Sequence, residues 1–172
     1  MTSRRQLVET AYHEAGHAVA SIELGLPFTE AVIKEDGSGY VRPGVRLPRH
    51  WGHHFSPHGR ERAEAQIVMI AAGPIAEAHL TGRPIDVLTE SWFPRRDWGM
   101  VKSRYDALQP ITHLERLIDE SRGLVDRRWR DIEFVATALV EHHTLTAEEV
   151  HEQIALAQSK PATAMFARPR AD

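Results

Sequence analysis

The chain has 172 residues, a length that favours one compact domain. It is 42% hydrophobic and 26% charged, which supplies a core and excludes an intrinsically disordered polymer. A formal net charge of −3 argues against a nucleic-acid binder that depends on a positive surface field. Because the chain has no cysteine, disulfides, thiolate metal ligands and a thiol nucleophile are excluded.

No targeting or membrane segment is predicted. The N-terminal residues lack the uninterrupted apolar stretch of a signal peptide. The most apolar run, residues 67–80, is interrupted by Gly73-Pro74, Glu77 and His79, and it falls short of the roughly 20 apolar residues that a membrane helix needs. We therefore expect a cytoplasmic protein without a membrane span.

The first predicted element is a long helix from Ser3 to about Leu24, where apolar residues recur at helical spacing. Ser3 and Gln6 form a capping box at its start, and Gly25 is a suitable stop. Residues 28–34 and 39–41 then predict a β-hairpin around the turn Asp36-Gly37.

A loop is predicted over residues 43–57, rich in proline and glycine as far as Pro48, and the histidine-rich cluster from His50 to His58 could form a lid. Ser56-Pro57 begins a second helix, which is expected to kink or restart at Gly73-Pro74 and to stop near Gly82.

Three further segments complete the helical prediction. Pro94 opens a helix that reaches about Leu108, and one apolar face runs from residue 124 to residue 142. Capping boxes are predicted at Thr112–Glu115 and Thr146–Glu149. The predicted fold is therefore mainly α (α+β), with one domain over residues 1–158 and a flexible tail over residues 159–172.

The first helix contains the sequence His13-Glu14-Ala15-Gly16-His17, an HExxH pattern. Positions four apart on a helix lie about 40° apart around the axis and about 6 Å along it, so both imidazoles can bind one metal ion. Glu14 points to the side, where it can reach a metal-bound water. This is the arrangement of zinc hydrolases.

A catalytic zinc ion usually has three protein ligands and an open position for water. Spacing alone does not choose the third ligand here. The candidates are Asp86, Glu90, Asp97, Asp106 and the histidines between His50 and His58.

Several motifs, in the same order, resemble the peptidase domain of the FtsH family of ATP-dependent zinc proteases. The HExxH helix reads HEAGHA, Gly39-Tyr40 is followed by Pro43, residues 72–77 read AGPIAE, and residues 144–150 read TLTAEEV. The resemblance implies a zincin-like helical domain with a small hairpin. It also implies that Asp97, at the start of a later helix, is the third zinc ligand. Glu77 is a candidate for orienting a zinc ligand.

These residues predict a metallopeptidase in which His13, His17 and Asp97 bind Zn²⁺ and Glu14 acts as general base. The strand Gly39-Tyr40-Val41 would align an extended peptide, as the resemblance implies. No GxxxxGK[ST] phosphate-binding motif occurs in the chain. We therefore expect unfolded polypeptides or peptides as substrates, with a separate ATPase unfoldase and a homo-oligomer as partners by analogy.

Two other functions fit the same residues. The chain could be a catalytically silent metal-binding or adaptor module for protein–protein contacts, although such a module has no need of a base at Glu14. It could also be a zinc hydrolase that acts on a bond other than a peptide.

Overall fold

The computed structural model describes residues 3–44, 57–84, 95–108 and 113–160. Within these ranges, six helices pack around one small antiparallel sheet, which confirms the mainly α (α+β) prediction. The helices are α1 (Arg4–Glu23), α2 (Pro57–Thr81), α3 (Arg95–Leu108), α4 (Leu114–Arg127), α5 (Trp129–His142) and α6 (Ala147–Ser159). The strands are β1 (Phe28–Ile33), β2 (Gly39–Pro43) and β3 (Thr144–Thr146).

Helix α1 lies at the centre of the molecule. It packs against α2 on one side, α5 on another and the sheet on a third. Its second half is therefore buried around the whole circumference, from Glu14 to Ser21, rather than along a single stripe. Alanine and glycine make this possible, because their small side chains let neighbouring backbones approach closely.

The closest approach of α1 to α2 occurs at Gly16. A Cβ atom there would lie 2.6 Å from the carbonyl oxygen of Ala72 and 2.9 Å from the Cβ of Ala76. Any side chain larger than hydrogen would push the two helices apart. This contact explains why a glycine occupies the middle of a helix despite its low helix propensity.

Gly16→Ala is expected to destabilise the fold by about 1–3 kcal/mol, because overpacking outweighs the helix propensity of alanine. The midpoint of urea unfolding measures this loss. Gly99→Ala is the matched control, since Gly99 lies exposed in α3 with nothing within 4 Å of an added Cβ. That control should be stabilised by up to about 1 kcal/mol. A Gly16→Ala protein with an unchanged midpoint would contradict the close approach.

The predicted hairpin is present and gains a third strand. β1 pairs antiparallel with β2, and on its other edge with β3, where Ala31 is opposite Leu145. Strand β3 was not predicted, because three residues are too short to show an alternating pattern and their partner is more than 100 positions away in sequence. In the strand order β2-β1-β3, β2 is left as an edge strand.

The helix boundaries differ from the predictions in two places. α2 continues through Pro74 as one helix, so the restart, one of the two outcomes predicted at Gly73-Pro74, is wrong. Packing of α2 against α1, α3 and α4 outweighs the cost of the backbone hydrogen bond that a proline removes. The face predicted over residues 124–142 is divided between α4 and α5, which meet at Arg128.

The local stop and start signals were more accurate. Gly25 and Gly82 follow α1 and α2 with positive φ angles of 63° and 67°, as helix-terminating glycines do. Ser3 caps α1 by accepting from the Gln6 N–H, and the capping box of Thr146 and Glu149 is complete. The capping box predicted at Thr112–Glu115 is wrong, because His113 is the N-cap of α4 and forms no side-chain cap hydrogen bond. None of the helices in the described ranges has both the length and the apolar character needed to cross a bilayer.

Some predictions concern residues outside the described ranges. These are most of the histidine-rich loop from His50 to His58 with its predicted lid, and nearly all of the predicted tail. The described chain ends one residue after α6, at Lys160.

Candidate metal centre

Two histidines and an aspartate bring their donor atoms together beside α1. His13 Nε2 lies 3.1 Å from His17 Nε2 and 3.1 Å from Asp97 Oδ2, and His17 Nε2 lies 3.9 Å from that same oxygen. His17 and Asp97 are only 8% and 6% exposed. Within the described ranges, this is the group of His, Asp and Glu residues arranged closely enough to hold a metal ion.

The separations fit a tetrahedral metal site. Ligands about 2.0–2.1 Å from a tetrahedral zinc ion lie about 3.3 Å from one another, and the three observed separations bracket that value. Two imidazole nitrogens and one carboxylate oxygen are also a donor set that zinc accepts in catalytic sites. The residues present therefore fit zinc.

Each histidine is oriented by its second ring nitrogen. His13 Nδ1 lies 3.1 Å from Glu77 Oε2, and His17 Nδ1 lies 3.0 Å from the carbonyl oxygen of Met69. Acceptors at Nδ1 place the proton there, so that the lone pair of Nε2 can bind a metal. Glu77 is itself held by an ion pair with Arg83.

The surroundings of His13 favour a positive charge. Burial alone would lower the pKa of His13, but hydrogen bonds to Asp97 and Glu77 outweigh it and raise the pKa to about 10. Burial would likewise raise the pKa of Glu77, but His13 and Arg83 hold it below its usual value. A site that stabilises a proton between two carboxylates also attracts a metal cation, which competes with that proton.

Glu14 lies beside this group, between α1 and the edge strand. Glu14 is 5% exposed, and its side chain packs against the backbone of Gly39, where an added Cβ would come within 2.6 Å of both Glu14 Cγ and Oε1. The absence of a side chain at Gly39 therefore makes the space that the carboxylate occupies. The contact restricts Glu14 to the side of the metal ligands that faces the sheet.

Gly73 makes space for the side chain of His17 in the same way, because it has no side chain of its own. A Cβ on Gly73 would lie 2.3 Å from His17 Nε2 and 2.4 Å from His17 Cε1. The imidazole therefore lies directly against the backbone of α2. The contact of Gly73 with His17 was not predicted, because Gly73-Pro74 resembles a helix break in the sequence. The neighbouring residues do not indicate that a side chain of α1 packs against this glycine.

A cleft of about 290 Å³ opens at the metal ligands. Its lining includes His13, Glu14, His17 and Asp97, together with all three residues predicted to align a peptide, Gly39, Tyr40 and Val41. Much of the remaining wall is apolar and comes from Leu26, Pro27, Phe28, Pro43, Met69, Ile70 and Met100. The edge strand and the metal ligands thus share one cavity.

Asp97 is the one candidate for a third ligand that the described residues bring to the two histidines. Asp106 lies exposed near the end of α3, where its carboxylate is 2.6 Å from Lys102 Nζ. Asp86, Glu90 and the histidines at positions 50, 53 and 54 lie outside the described residues, as does the side chain of His58. Asp97 lies in the first turn of α3, as the resemblance implied.

Glu77→Gln is expected to weaken zinc binding by roughly 10- to 100-fold, because His13 loses the carboxylate that fixes its ring and its tautomer. Competition with a zinc-sensitive fluorescent chelator measures the change in Kd. Arg83→Gln is the matched control. It removes the ion pair of Glu77 with Arg83 but keeps the contact of Glu77 with His13, so zinc binding should weaken less. Equal zinc affinity in Glu77→Gln and the unmodified protein would show that Glu77 does not position His13.

Comparison with known proteins agrees with the motifs. The chain is 29% identical, over 81% of its length, to the ATP-dependent zinc metalloprotease FtsH of Thermus thermophilus. It is 28% identical, over 88% of its length, to the FtsH protein of Neorickettsia risticii. The chain spans 28% of the length of each of these relatives. No protein-family model matches the chain.

Proposed function

We propose that this chain is a zinc-dependent endopeptidase that hydrolyses peptide bonds in unfolded polypeptides or peptides. One observation carries the proposal: three donors of a zinc-type ligand set lie within 4.8 Å of one another, beside a buried glutamate in a cleft bordered by an edge strand. Similarity to two proteins named zinc metalloproteases supports the same chemistry.

His13, His17 and Asp97 would hold the ion. Bound zinc would acidify a water molecule and polarise the scissile carbonyl. Glu14 would accept the proton from that water and later donate it to the leaving amine. Burial between α1 and Gly39 keeps the Glu14 carboxylate in place for both transfers, since it has little freedom to turn towards solvent.

Strand β2 would bind the substrate. Within the described residues β2 pairs only with β1, along one edge, so its other edge offers backbone N–H and C=O groups to an extended peptide. A cleft of about 290 Å³ accommodates an extended segment rather than a folded domain. We therefore propose unfolded chains as substrates. A separate ATPase unfoldase and self-association are proposed as partners by analogy with the FtsH relatives.

Metal analysis combined with cleavage of unfolded casein tests the proposal. We expect zinc in the purified protein, cleavage that 1,10-phenanthroline abolishes, and recovery of cleavage when zinc is added back. Bound zinc with no cleavage of casein or peptides would favour a silent metal-binding module instead. Cleavage restricted to non-peptide substrates would favour a hydrolase of another class.

A further inference from the structure

The cleft continues away from the metal ligands between α2 and α3, where two arginines line it. Arg104 follows Asp97 by seven residues, so both lie on one face of α3, about 10 Å apart along its axis. Gln66 lies one turn before Met69 on α2, and Arg62 lies one turn before Gln66. We call Arg62 and Arg104 the arginine subsite.

The guanidinium of Arg104 is held by neutral partners. Its Nε donates to Gln66 Oε1 at 2.7 Å, and its Nη1 donates to the carbonyl oxygen of Met100 at 3.0 Å. Gln66 is 2% exposed, so this partner has a fixed position. The two contacts orient the group, and among the described residues its Nη2 donors have no hydrogen-bond partner.

The arginine subsite also lacks a counter-ion in the part of the chain that the structure describes. Arg83, Arg116 and Arg128 each form an ion pair with a glutamate or aspartate, whereas no carboxylate in the described ranges pairs with Arg62 or Arg104. Burial lowers the pKa of Arg104. A half-buried, oriented guanidinium without a counter-ion favours an anionic ligand.

Charge is distributed unevenly along the cleft. Among the described lining residues, the two acidic ones, Glu14 and Asp97, both belong to the metal end, while Arg62 and Arg104 lie at the other end. A peptide that passes the metal ligands in an extended conformation advances about 3.3 Å per residue. The arginine subsite is therefore about three residues from the bond that would be cut.

We propose that the arginine subsite binds a carboxylate of the substrate, and so makes this cleft selective for peptides that carry one about three residues from the scissile bond. This inference rests on the proposed peptidase function. The carboxylate could belong to an acidic side chain or to the C-terminus of the substrate, since both present the same two oxygens to a guanidinium.

Matched quenched peptides test the selectivity. After mass spectrometry locates the cleaved bond, one pair of peptides has Glu or Gln three residues from it, and a second pair ends there in a free acid or an amide. We expect kcat/KM to favour at least one carboxylate peptide by about tenfold, as charge-assisted hydrogen bonds are stronger than neutral ones. The pair that shows the preference identifies the source of the carboxylate.

Variants assign the preference to Arg104. Arg104→Gln should reduce the ratio to about one, and Arg104→Lys should keep part of it. The matched control is Lys102→Gln, which removes an exposed cation of the same helix that does not line the cleft, and it should leave the preference unchanged. A wild-type protein without any preference, or an Arg104→Gln protein that is folded and keeps it, would overturn the proposal.

A binding measurement separates this proposal from the proposed function. Fluorescence anisotropy with zinc-loaded Glu14→Gln protein reports the Kd of the same four peptides without turnover. Binding by the Glu14→Gln protein that is selective for a carboxylate peptide would support the arginine subsite, and it would refute the peptidase if the wild-type protein cleaved no peptide. Cleavage of all four peptides at equal rates, with equal Kd values, would support the peptidase and refute the arginine subsite.

Discussion

Glu14→Gln should reduce peptide cleavage by a factor of about 10²–10⁴ while leaving the zinc content unchanged. The amide is almost the same size as the carboxylate, so it fits the space beside Gly39, but it has no basic oxygen to accept a proton from water. Because His13, His17 and Asp97 hold the ion in our proposal, their affinity should not depend on Glu14. Steady-state cleavage rates and metal analysis of the same preparation measure both effects.

Glu9→Gln is the matched control for this variant. Glu9 lies on the same helix, one turn and a half before Glu14, in a surface ion pair with Arg5. Its substitution removes a carboxylate of equal size from α1 without altering the cleft, so the cleavage rate should be unaffected. A Glu14→Gln protein that cleaves as fast as the Glu9→Gln protein would remove Glu14 from the mechanism.

Gly73→Ala should abolish tight zinc binding although it changes no proposed ligand. The new methyl group would lie 2.3 Å from His17 Nε2, the atom that faces Asp97 and His13, so the imidazole has to turn out of its place. That rotation also breaks the contact between His17 Nδ1 and the carbonyl oxygen of Met69. We expect the Kd for zinc, measured by competition, to rise more than about 100-fold. This is more than the usual effect of losing a residue that hydrogen-bonds to a metal ligand.

A double-mutant cycle shows whether the cause is the clash with His17. In the metal-free protein, Gly73→Ala should cost about 1–3 kcal/mol of unfolding free energy, as overpacking does. In a His17→Ala background the methyl group has no ring to displace, so most of that cost should vanish. An equal cost in both backgrounds would mean that the methyl group disturbs α2 itself.

The elements that could be predicted from sequence are those whose stabilising contacts are local. Ser3, Gly25 and the Thr146–Glu149 box mark helix ends because their hydrogen bonds and backbone angles involve residues only a few positions away. The hairpin of β1 and β2 was predictable for the same reason. Strand β3 and the continuous helix through Pro74 were not, since both depend on packing against distant segments.

The candidate site likewise has one part that the sequence predicts and another that depends on the fold. The spacing of His13 and His17 follows from helix geometry, so one pattern on α1 is enough to predict that their Nε2 atoms can meet. Asp97 is 84 positions from His13, and spacing left it among several candidates until a family resemblance selected it. Only the fold shows that it lies 3.1 Å from His13.

What the sequence determined by itself is thus the pair of histidines, the adjacent glutamate and the helix that carries them, because a helix repeats every 3.6 residues whatever surrounds it. The tertiary structure alone decided the contact of Gly73 with His17, the space that Gly39 leaves for Glu14, and the hydrogen bond from Arg104 to Gln66. These contacts join segments that are far apart in the chain. Their distances depend on how helices and strands pack, and no local pattern of residues encodes that packing.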